Sequence, residues 1–175
     1  MKRLLIVVDM QNDFVTGVLG TREAQMILPA VNAKIAAAEQ VIFTLDTHDE
    51  TYLSTQEGRL LPVPHCLRGT WGHALAEGMC LPEESERIEK PTFGSVTLGQ
   101  RVRELYGEGK ISSAELIGVC TDICLISNAL LLKAACPELP ISVDASCCAG
   151  VTPERHQTAL DAMAACQITV TNRSR

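Results

Sequence analysis

Three side chains that lie far apart in the sequence could together perform nucleophilic catalysis. Cys124 ends the segment CTDIC at residues 120–124, which we predict to join a buried strand to a helix. A thiol in a first helical turn faces free backbone N–H groups and the helix dipole, which favour a thiolate. Asp9 could accept the thiol proton, and Lys90 could hold the charges of both groups. Taken alone, Cys124 is more typical of a buried core cysteine and Lys90 of an exposed lysine.

A second group of side chains could bind a metal. Asp46 and His48 form a D-x-H pair after a predicted strand, and His65 follows in the sequence PHC. Two imidazoles and one carboxylate suit zinc, iron or manganese with open coordination positions. A D-x-H pair alone is also typical of a surface turn. The connection at residues 47–70 is long, which is usual for functional loops, and we predict that it folds back to bring His65 to the end of the second strand.

The cysteine content does not require a disulfide framework. The eight cysteines are Cys66, Cys80, Cys120, Cys124, Cys136, Cys147, Cys148 and Cys166. Several lie inside apolar segments, so we expect most of them to be reduced and buried. Cys147 and Cys148 could have a redox or metal role, but a packed pair at a strand end is the favoured interpretation. A redox bridge between Cys120 and Cys124 is disfavoured, because they lie four residues apart across a strand-to-helix turn.

Short apolar runs alternate with helical patterns along the whole chain. The predicted strands are residues 2–9, 40–46, 85–89, 114–120, 141–145 and 167–171. The predicted helices are residues 23–39, 98–106, 122–135 and 153–164. This alternation predicts an α/β protein with a three-layer α/β/α Rossmann-like fold, in which helices cover both faces of a six-stranded, mostly parallel sheet. We expect one domain over residues 1–175, with His73 and His156 on helix surfaces.

The predicted sheet brings the chemically active side chains together. In an open parallel sheet, ligands bind beyond the carboxyl ends of the strands. Asp9, Asp46 and Lys90 each lie at or near such an end, and the fourth strand runs into the segment of residues 120–124. A single polar residue at a strand end is most often a turn residue, but four of them around one crevice indicate a functional site.

The composition excludes several classes of protein. Hydrophobic residues make up 46% of the 175 residues and charged residues 21%, which is the balance of a soluble globular protein. The net charge of -6 disfavours a nucleic-acid partner, because phosphate contacts need clustered Lys and Arg. The first apolar run, residues 4–8, is too short to span a membrane or to form a signal-peptide core. We therefore expect a cytoplasmic protein with no nucleic-acid or membrane partner.

Three segments together resemble the isochorismatase-like cysteine hydrolases, and within them the nicotinamidase-like branch. They are LLIVVDMQNDF at residues 4–14, the lysine before FGS at residues 93–95, and GVCTDIC at residues 118–124. The resemblance implies that Cys124 is the nucleophile, Asp9 the general base and Lys90 their electrostatic partner.

The resemblance also assigns the remaining parts of an active site. It implies an oxyanion hole formed by the backbone N–H groups of Cys120 and Cys124, with a cis peptide between Val119 and Cys120. The metal-bearing nicotinamidases have a D-x-H pair followed by a His-Cys unit before Gly-Thr, which here implies Asp46, His48 and His65 as ligands of a divalent metal, zinc before iron or manganese.

The substrate pocket follows the family pattern less closely. Phe14 and Phe93 are the aromatic residues that we place against a substrate ring. Leu61 stands where an aromatic residue is usual, and Asn128 where Thr is typical. The family often forms dimers or larger assemblies, so a homo-oligomer is implied.

The implied activity is a metal-assisted cysteine amidohydrolase that cleaves a small carboxamide, nicotinamide to nicotinate and ammonia, through a thioester. Two alternatives stay open. One is a hydrolase of the same fold acting on another small amide, ureide or carbamoyl substrate. The other is a non-catalytic protein that binds a small molecule or a metal.

Overall fold

The computed structural model describes residues 1–173, so the last two residues of the predicted domain lie outside the described part. The strands are β1 Lys2–Val8, β2 Gln40–Asp46, β3 Glu86–Lys90, β4 Ile111–Val119, β5 Ile141–Ala149 and β6 Thr169–Thr171. The helices are α1 Asn12–Val15, α2 Arg22–Ala37, α3 Gln56–Leu60, α4 Val96–Gly107, α5 Ile126–Ala135 and α6 Pro153–Ala165.

The six strands form one parallel sheet in the order β3-β2-β1-β4-β5-β6. Helix α2 packs on β4 and β5, whereas α4, α5 and α6 pack successively against one another. Because crossover connections between parallel strands are right-handed, α2 covers one face and α4 to α6 cover the other. The predicted three-layer α/β/α fold is confirmed, and every strand pair in the described sheet is parallel.

The centre of the sheet is its most apolar part. Residues 4–8 of β1 are buried, and β1 lies between β2 and β4. A strand covered on both faces has no polar side, which explains its unbroken apolar run. The strand order reverses between β1 and β4, so the crevice at their carboxyl ends is the expected binding position. The two strands approach each other closely there, because a Cβ at Gly118 in β4 would lie 2.2 Å from the carbonyl oxygen of Val8 in β1.

The turn after β4 differs from the prediction. An α-helix was expected from residue 122, but Thr121–Leu125 forms a π-helical turn, and α5 begins at Ile126. The carbonyl oxygen of Cys120 accepts hydrogen bonds from the N–H groups of both Ile123 and Leu125, each at 3.1 Å. This shared acceptor widens the turn that carries Cys124. Such π turns are frequent at functional sites.

The long connection after β2 has more local structure than its sequence suggested. Residues 47–70 contain a 3₁₀ turn at Tyr52–Ser54 and the short helix α3. Thr55 caps α3, because its hydroxyl accepts a hydrogen bond from the N–H of Gly58 at 2.9 Å. This helix carries Glu57 toward the carboxyl end of β2.

The cysteines follow the prediction. All eight are free, and Cys147 and Cys148 are buried inside the last part of β5, which continues beyond its predicted end. The favoured interpretation of these two as a packed pair agrees with their burial. Among residues 1–173, no helix combines the length and the apolar character needed to cross a membrane.

Candidate functional site

Four side chains from four strand ends meet at the carboxyl edge of the sheet. Asp9 follows β1, Asp46 ends β2, Lys90 ends β3, and Cys124 lies in the turn after β4. Lys90 joins them: its Nζ lies 2.7 Å from Asp9 Oδ2, 3.0 Å from Asp46 Oδ1 and 3.5 Å from Cys124 Sγ. All four side chains are buried, so water screens these charges little. The structure therefore brings together Cys124, Asp9 and Lys90, the three residues that the sequence analysis grouped for nucleophilic catalysis.

The carboxylate of Asp9 is held in one orientation. The hydroxyl of Thr44 in β2 donates a hydrogen bond of 2.6 Å to Asp9 Oδ1. Asp9 Oδ2 lies 2.7 Å from the Lys90 ammonium. One carboxylate oxygen is therefore held by a hydroxyl and the other by a cation.

The charges around Lys90 set the protonation states of the three groups. Burial raises the pKa of the Cys124 thiol well above its usual value, and the Asp9 charge adds to the rise while Lys90 opposes it. Burial also raises the pKa of Asp9, again against the Lys90 charge. Burial works to lower the pKa of Lys90, but the negative charges around it raise that pKa overall. Burial therefore favours the protonated form of the Cys124 thiol and makes the Asp9 carboxyl group more basic.

Asp46 links this group to a second cluster. Its other oxygen, Oδ2, lies 2.8 Å from His48 Nε2 and 3.4 Å from His65 Nε2. Burial alone would raise the pKa of Asp46, but the hydrogen bonds of the two histidines and the Lys90 charge hold it well below its usual range. One carboxylate therefore contacts the Lys90 amine with one oxygen and the two imidazoles with the other.

The loop folds back as its sequence predicted, which brings His65 to the end of β2. The N–H of His48 donates to the carbonyl of Cys66 at 3.0 Å, and the N–H of Arg68 donates to the carbonyl of His48 at 2.9 Å. These two bonds form a short parallel bridge between the segments that carry the histidines. The ligand atoms of Asp46, His48 and His65 lie within 4.8 Å of one another.

The donor set fits a divalent metal. His48 Nε2 is buried 2.8 Å from Asp46 Oδ2, but no residue in the range 1–173 makes a well-aligned hydrogen bond with it, and an ion held by both groups would satisfy this arrangement. His65 Nδ1 lies 2.8 Å from the carbonyl of Val63, which fixes the proton on that nitrogen and directs Nε2 into the cluster. Two imidazole nitrogens and a carboxylate suit zinc, iron or manganese.

A family model decides what kind of protein carries these two clusters. The isochorismatase domain matches residues 3–174, nearly the whole chain. The chain belongs to the isochorismatase family.

Several similar proteins of known structure are nicotinamidases or pyrazinamidases. The isochorismatase family protein PncA of Bacillus subtilis strain 168 is 32% identical over 144 residues, which cover 74% of this chain and 78% of the relative. The crystal structure of the pyrazinamidase of Pyrococcus horikoshii in complex with zinc is 27% identical, with a TM-score of 0.80, over 99% of this chain and 100% of that one. The crystal structure of the nicotinamidase PncA from Bacillus subtilis is 26% identical, with a TM-score of 0.78, over 97% and 99%.

This isochorismatase-family hydrolase also has the backbone feature that the resemblance implied. The peptide bond between Val119 and Cys120 is cis. Cys120 is half-buried, and burial raises the pKa of its thiol to about 12. The thiol of Cys120 is therefore protonated at neutral pH, and the resemblance implies a role only for the backbone N–H of this residue, in an oxyanion hole.

The two aromatic residues that we placed against a substrate ring lie in different surroundings. Phe14 is 9% exposed and packs edge-on against the ring of His65, with 5.5 Å between ring centroids. Phe93 is 44% exposed, in the turn after β3. The side chain of Asn128 donates to the carbonyls of Phe93 at 3.1 Å and Cys124 at 2.8 Å, and accepts from the N–H of Ser95 at 2.9 Å. Asn128 thus joins the turn of Phe93 to the turn that carries Cys124.

Two residues beside the metal-ligand cluster escaped the sequence analysis. Glu57 Oε1 lies 3.7 Å from His48 Nε2 and 3.8 Å from His65 Nε2. Burial raises the pKa of Glu57, and the Asp46 charge adds to the rise. The ring of Tyr52 packs on both histidine rings, at centroid distances of 4.7 and 5.0 Å. The only sequence signal for either residue was its place in the long loop.

The prediction that His73 lies on a helix surface was wrong, and the prediction for His156 was right about the helix but not about full exposure. His73 lies in a loop, where its Nε2 is 2.9 Å from the hydroxyl of Thr47. His156 is in α6 and half-buried, with Nδ1 2.8 Å from the hydroxyl of Thr121 in the turn that carries Cys124. Each imidazole is drawn inward by a hydroxyl from another part of the chain, and such a pairing leaves no local pattern in the sequence.

Proposed function

We propose that this isochorismatase-family hydrolase is a metal-assisted cysteine amidohydrolase, with nicotinamide as its substrate and nicotinate and ammonia as its products. The observation that carries the proposal is the position of Lys90, whose Nζ contacts Asp9, Cys124 and Asp46 at once. A nucleophilic thiol, its base and a set of metal ligands thereby line the same crevice.

The first step is activation of the thiol. Asp9 Oδ2 accepts the proton of Cys124, and burial raises the pKa of Asp9, which makes its carboxylate a stronger base. The thiolate attacks the carboxamide carbon, so that a C–S bond forms and the carbonyl oxygen gains negative charge. The backbone N–H groups of Cys120 and Cys124 stabilise that oxyanion, and Lys90 stabilises the charges of Asp9 and Cys124.

The second step releases ammonia and then the acid. The oxyanion collapses and the C–N bond breaks, while Asp9 returns its proton to the leaving nitrogen, which departs as ammonia. The product of this step is a thioester on Cys124. A water molecule gives a proton to Asp9 and attacks the thioester carbon. The C–S bond breaks to release the carboxylic acid, and Asp9 passes its proton to the departing Cys124 thiolate, which restores the thiol and the Asp9 carboxylate.

Asp46, His48 and His65 would hold the divalent metal, zinc before iron or manganese, and Glu57 Oε1 stands within reach of the same cluster. Bound there, the metal would supply a Lewis-acid site for the ring nitrogen of a pyridine carboxamide. Phe14 and Phe93 would contact the substrate ring. The zinc-bound pyrazinamidase and the nicotinamidase among the similar structures support an aromatic carboxamide with a ring nitrogen.

The test is ammonia release from nicotinamide, pyrazinamide, benzamide and a panel of small amides, ureides and carbamoyl compounds. We expect kcat/KM for nicotinamide to exceed that for benzamide by about 10²-fold or more, because benzamide lacks the ring nitrogen. Higher activity on an aliphatic amide, a ureide or a carbamoyl compound would instead identify a hydrolase of another substrate. Metal binding without any acyl-enzyme, detected by mass spectrometry of trapped Cys124, would identify a non-catalytic binding protein.

The metal site makes a prediction that does not depend on turnover. Zn²⁺ at 100 times its dissociation constant should raise the melting temperature by about 5–10 °C, because binding to the folded state alone adds about 2.7 kcal/mol. His65→Ala should abolish most of this shift. His73→Ala is the matched control, since His73 lies outside the cluster, and it should keep the shift. Equal shifts in both variants, measured by calorimetry, would place the zinc elsewhere.

A further inference from the structure

The segment directly after Asp9 reaches both parts of the chain that carry the metal ligands. Gln11, Asn12 and Asp13 are buried, although all three are polar. Buried polar side chains are retained where they satisfy other buried groups. We propose that Gln11 and Asp13 are positioning residues for the metal site: Gln11 fixes the backbone of Asp46 and Asp13 fixes the backbone next to His65. This inference rests on the proposed metal-binding function and deepens it.

Gln11 holds Asp46 from both sides of its backbone. The side-chain amide of Gln11 donates to the carbonyl of Asp46 at 2.9 Å, and its oxygen accepts from the N–H of Asp46 at 2.8 Å. The same amide also donates to the carbonyl of His73 at 2.8 Å. Gln11 is fully buried, so no water competes for these bonds. These bonds therefore fix the backbone of Asp46, the last residue of β2, at the position where its carboxylate faces the two imidazoles.

Asp13 holds the returning loop one residue after His65. Its Oδ2 accepts a hydrogen bond of 2.8 Å from the N–H of Cys66. Cys66 has a positive φ of 47°, an uncommon conformation for a residue other than glycine. Gly72 packs directly against this carboxylate, because a Cβ at Gly72 would lie 2.0 Å from Asp13 Oδ2. Asp13 thus stabilises the chain conformation that directs His65 into the cluster.

Asn12 shows that this role is not general to the segment. Its side chain donates to the carbonyl of Trp71 at 2.8 Å and accepts from the N–H of Glu77 at 3.0 Å. Asn12 is as well buried as its neighbours, but residues 71–77 contain no member of the metal-ligand cluster. Asn12 therefore offers a control with similar burial and similar hydrogen bonding.

The physical consequence concerns affinity for the metal. A metal site is tight when its ligands are held in place before the ion arrives, and loss of an outer hydrogen-bonding partner weakens binding by about 10- to 100-fold. Without Gln11, the backbone of Asp46 loses two hydrogen bonds, one at its N–H and one at its carbonyl. Without Asp13, the N–H of Cys66 is left without its acceptor and the segment of His65 can relax.

The experiment measures the Zn²⁺ dissociation constant of the full chain by competition with a chromogenic chelator, together with the melting temperature. We expect Gln11→Met and Asp13→Ala to bind Zn²⁺ about 10- to 100-fold more weakly than the unchanged protein. Asn12→Leu should lower the melting temperature to a similar extent but keep its Zn²⁺ affinity within about threefold, because it removes no contact to a ligand-bearing segment. Asp13→Asn keeps an acceptor for Cys66 and should recover most of the affinity that Asp13→Ala loses.

Each outcome is decisive. If Gln11→Met binds Zn²⁺ as tightly as the unchanged protein, or if Asn12→Leu loses as much affinity as Gln11→Met, the positioning role is wrong and the proposed activity stands. If Gln11→Met does not fold, the pair Asp13→Ala and Asp13→Asn decides the question alone. If the unchanged protein itself binds no Zn²⁺, both the metal part of the proposed function and the positioning role of Gln11 and Asp13 are wrong.

Discussion

Replacing Cys124 with alanine should abolish amide hydrolysis, lowering kcat by about 10⁴-fold or more, because no thioester can form without the sulfur. The Cys124 thiol is buried beside Lys90 and Asp9, and removing one small polarisable atom leaves the surrounding packing nearly intact. We therefore expect the Cys124→Ala protein to fold and to bind Zn²⁺ as the unchanged protein does. The measurements are ammonia release and Zn²⁺ affinity on the same preparation.

Cys120→Ala is the matched control for this prediction. Cys120 lies four residues away in the same turn, and its proposed contribution comes from the backbone N–H, which alanine keeps. Its thiol has a pKa of about 12 and is protonated at neutral pH. Cys120→Ala should therefore retain kcat within about tenfold. Turnover that survived in Cys124→Ala, or that was lost equally in Cys120→Ala, would contradict the assignment of the nucleophile.

The residues at the strand ends were predictable from sequence because the geometry of a parallel sheet leaves little choice. Once β1, β2, β3 and β4 were identified as parallel neighbours, their carboxyl ends had to share one edge. Asp9, Asp46 and Lys90 therefore had to lie close together, whatever the details of the loops. His65 was predictable because a D-x-H pair needs further ligands and the long loop supplied one.

The rest of the site depends on contacts that have no period or motif. Glu57 reaches the cluster only because a short helix forms inside the loop, and Gln11 meets the backbone of Asp46 through side-chain hydrogen bonds across two strands. His156 is turned inward by the hydroxyl of Thr121, which lies 35 positions earlier in the chain. Sequence patterns report which face of an element is apolar, but not which distant polar group a buried side chain satisfies.

Replacing Lys90 with methionine should cause the largest loss of stability. Lys90 is 1% exposed and pairs with two buried carboxylates, those of Asp9 and Asp46. Methionine fills a similar volume but leaves both negative charges without their cation, and breaking a buried pair in this way costs about 3–5 kcal/mol. The melting temperature should fall by about 6–20 °C at neutral pH. Activity should fall by about 10²-fold or more, because the thiolate and the Asp9 carboxylate lose their electrostatic partner.

Lys34→Met is the matched control for Lys90→Met. Lys34 also pairs with two carboxylates, at 2.8 Å from Asp144 Oδ2 and 3.0 Å from Glu115 Oε2, but its side chain is 32% exposed. Asp144 keeps hydrogen bonds from Ser146 and Asn172 when the lysine is removed. We expect a clearly smaller loss of stability and an unchanged kcat. Equal effects of the two substitutions would show that Lys90 has no special place in the charge balance of the site.

The pH dependence of the Lys90→Met effect separates lost charge pairing from lost packing. Burial raises the folded-state pKa of Asp9, and removal of the Lys90 cation raises it further, because that charge opposes the rise. A carboxyl whose folded pKa lies above its unfolded value costs stability as the pH rises from the unfolded pKa through the folded one. The difference in unfolding free energy between Lys90→Met and the unchanged protein should therefore grow from acidic to neutral pH in denaturant titrations. A difference that is the same at every pH would mean that Lys90 stabilises the fold through contacts other than its charge that methionine does not reproduce, and that Asp9 does not depend on that charge.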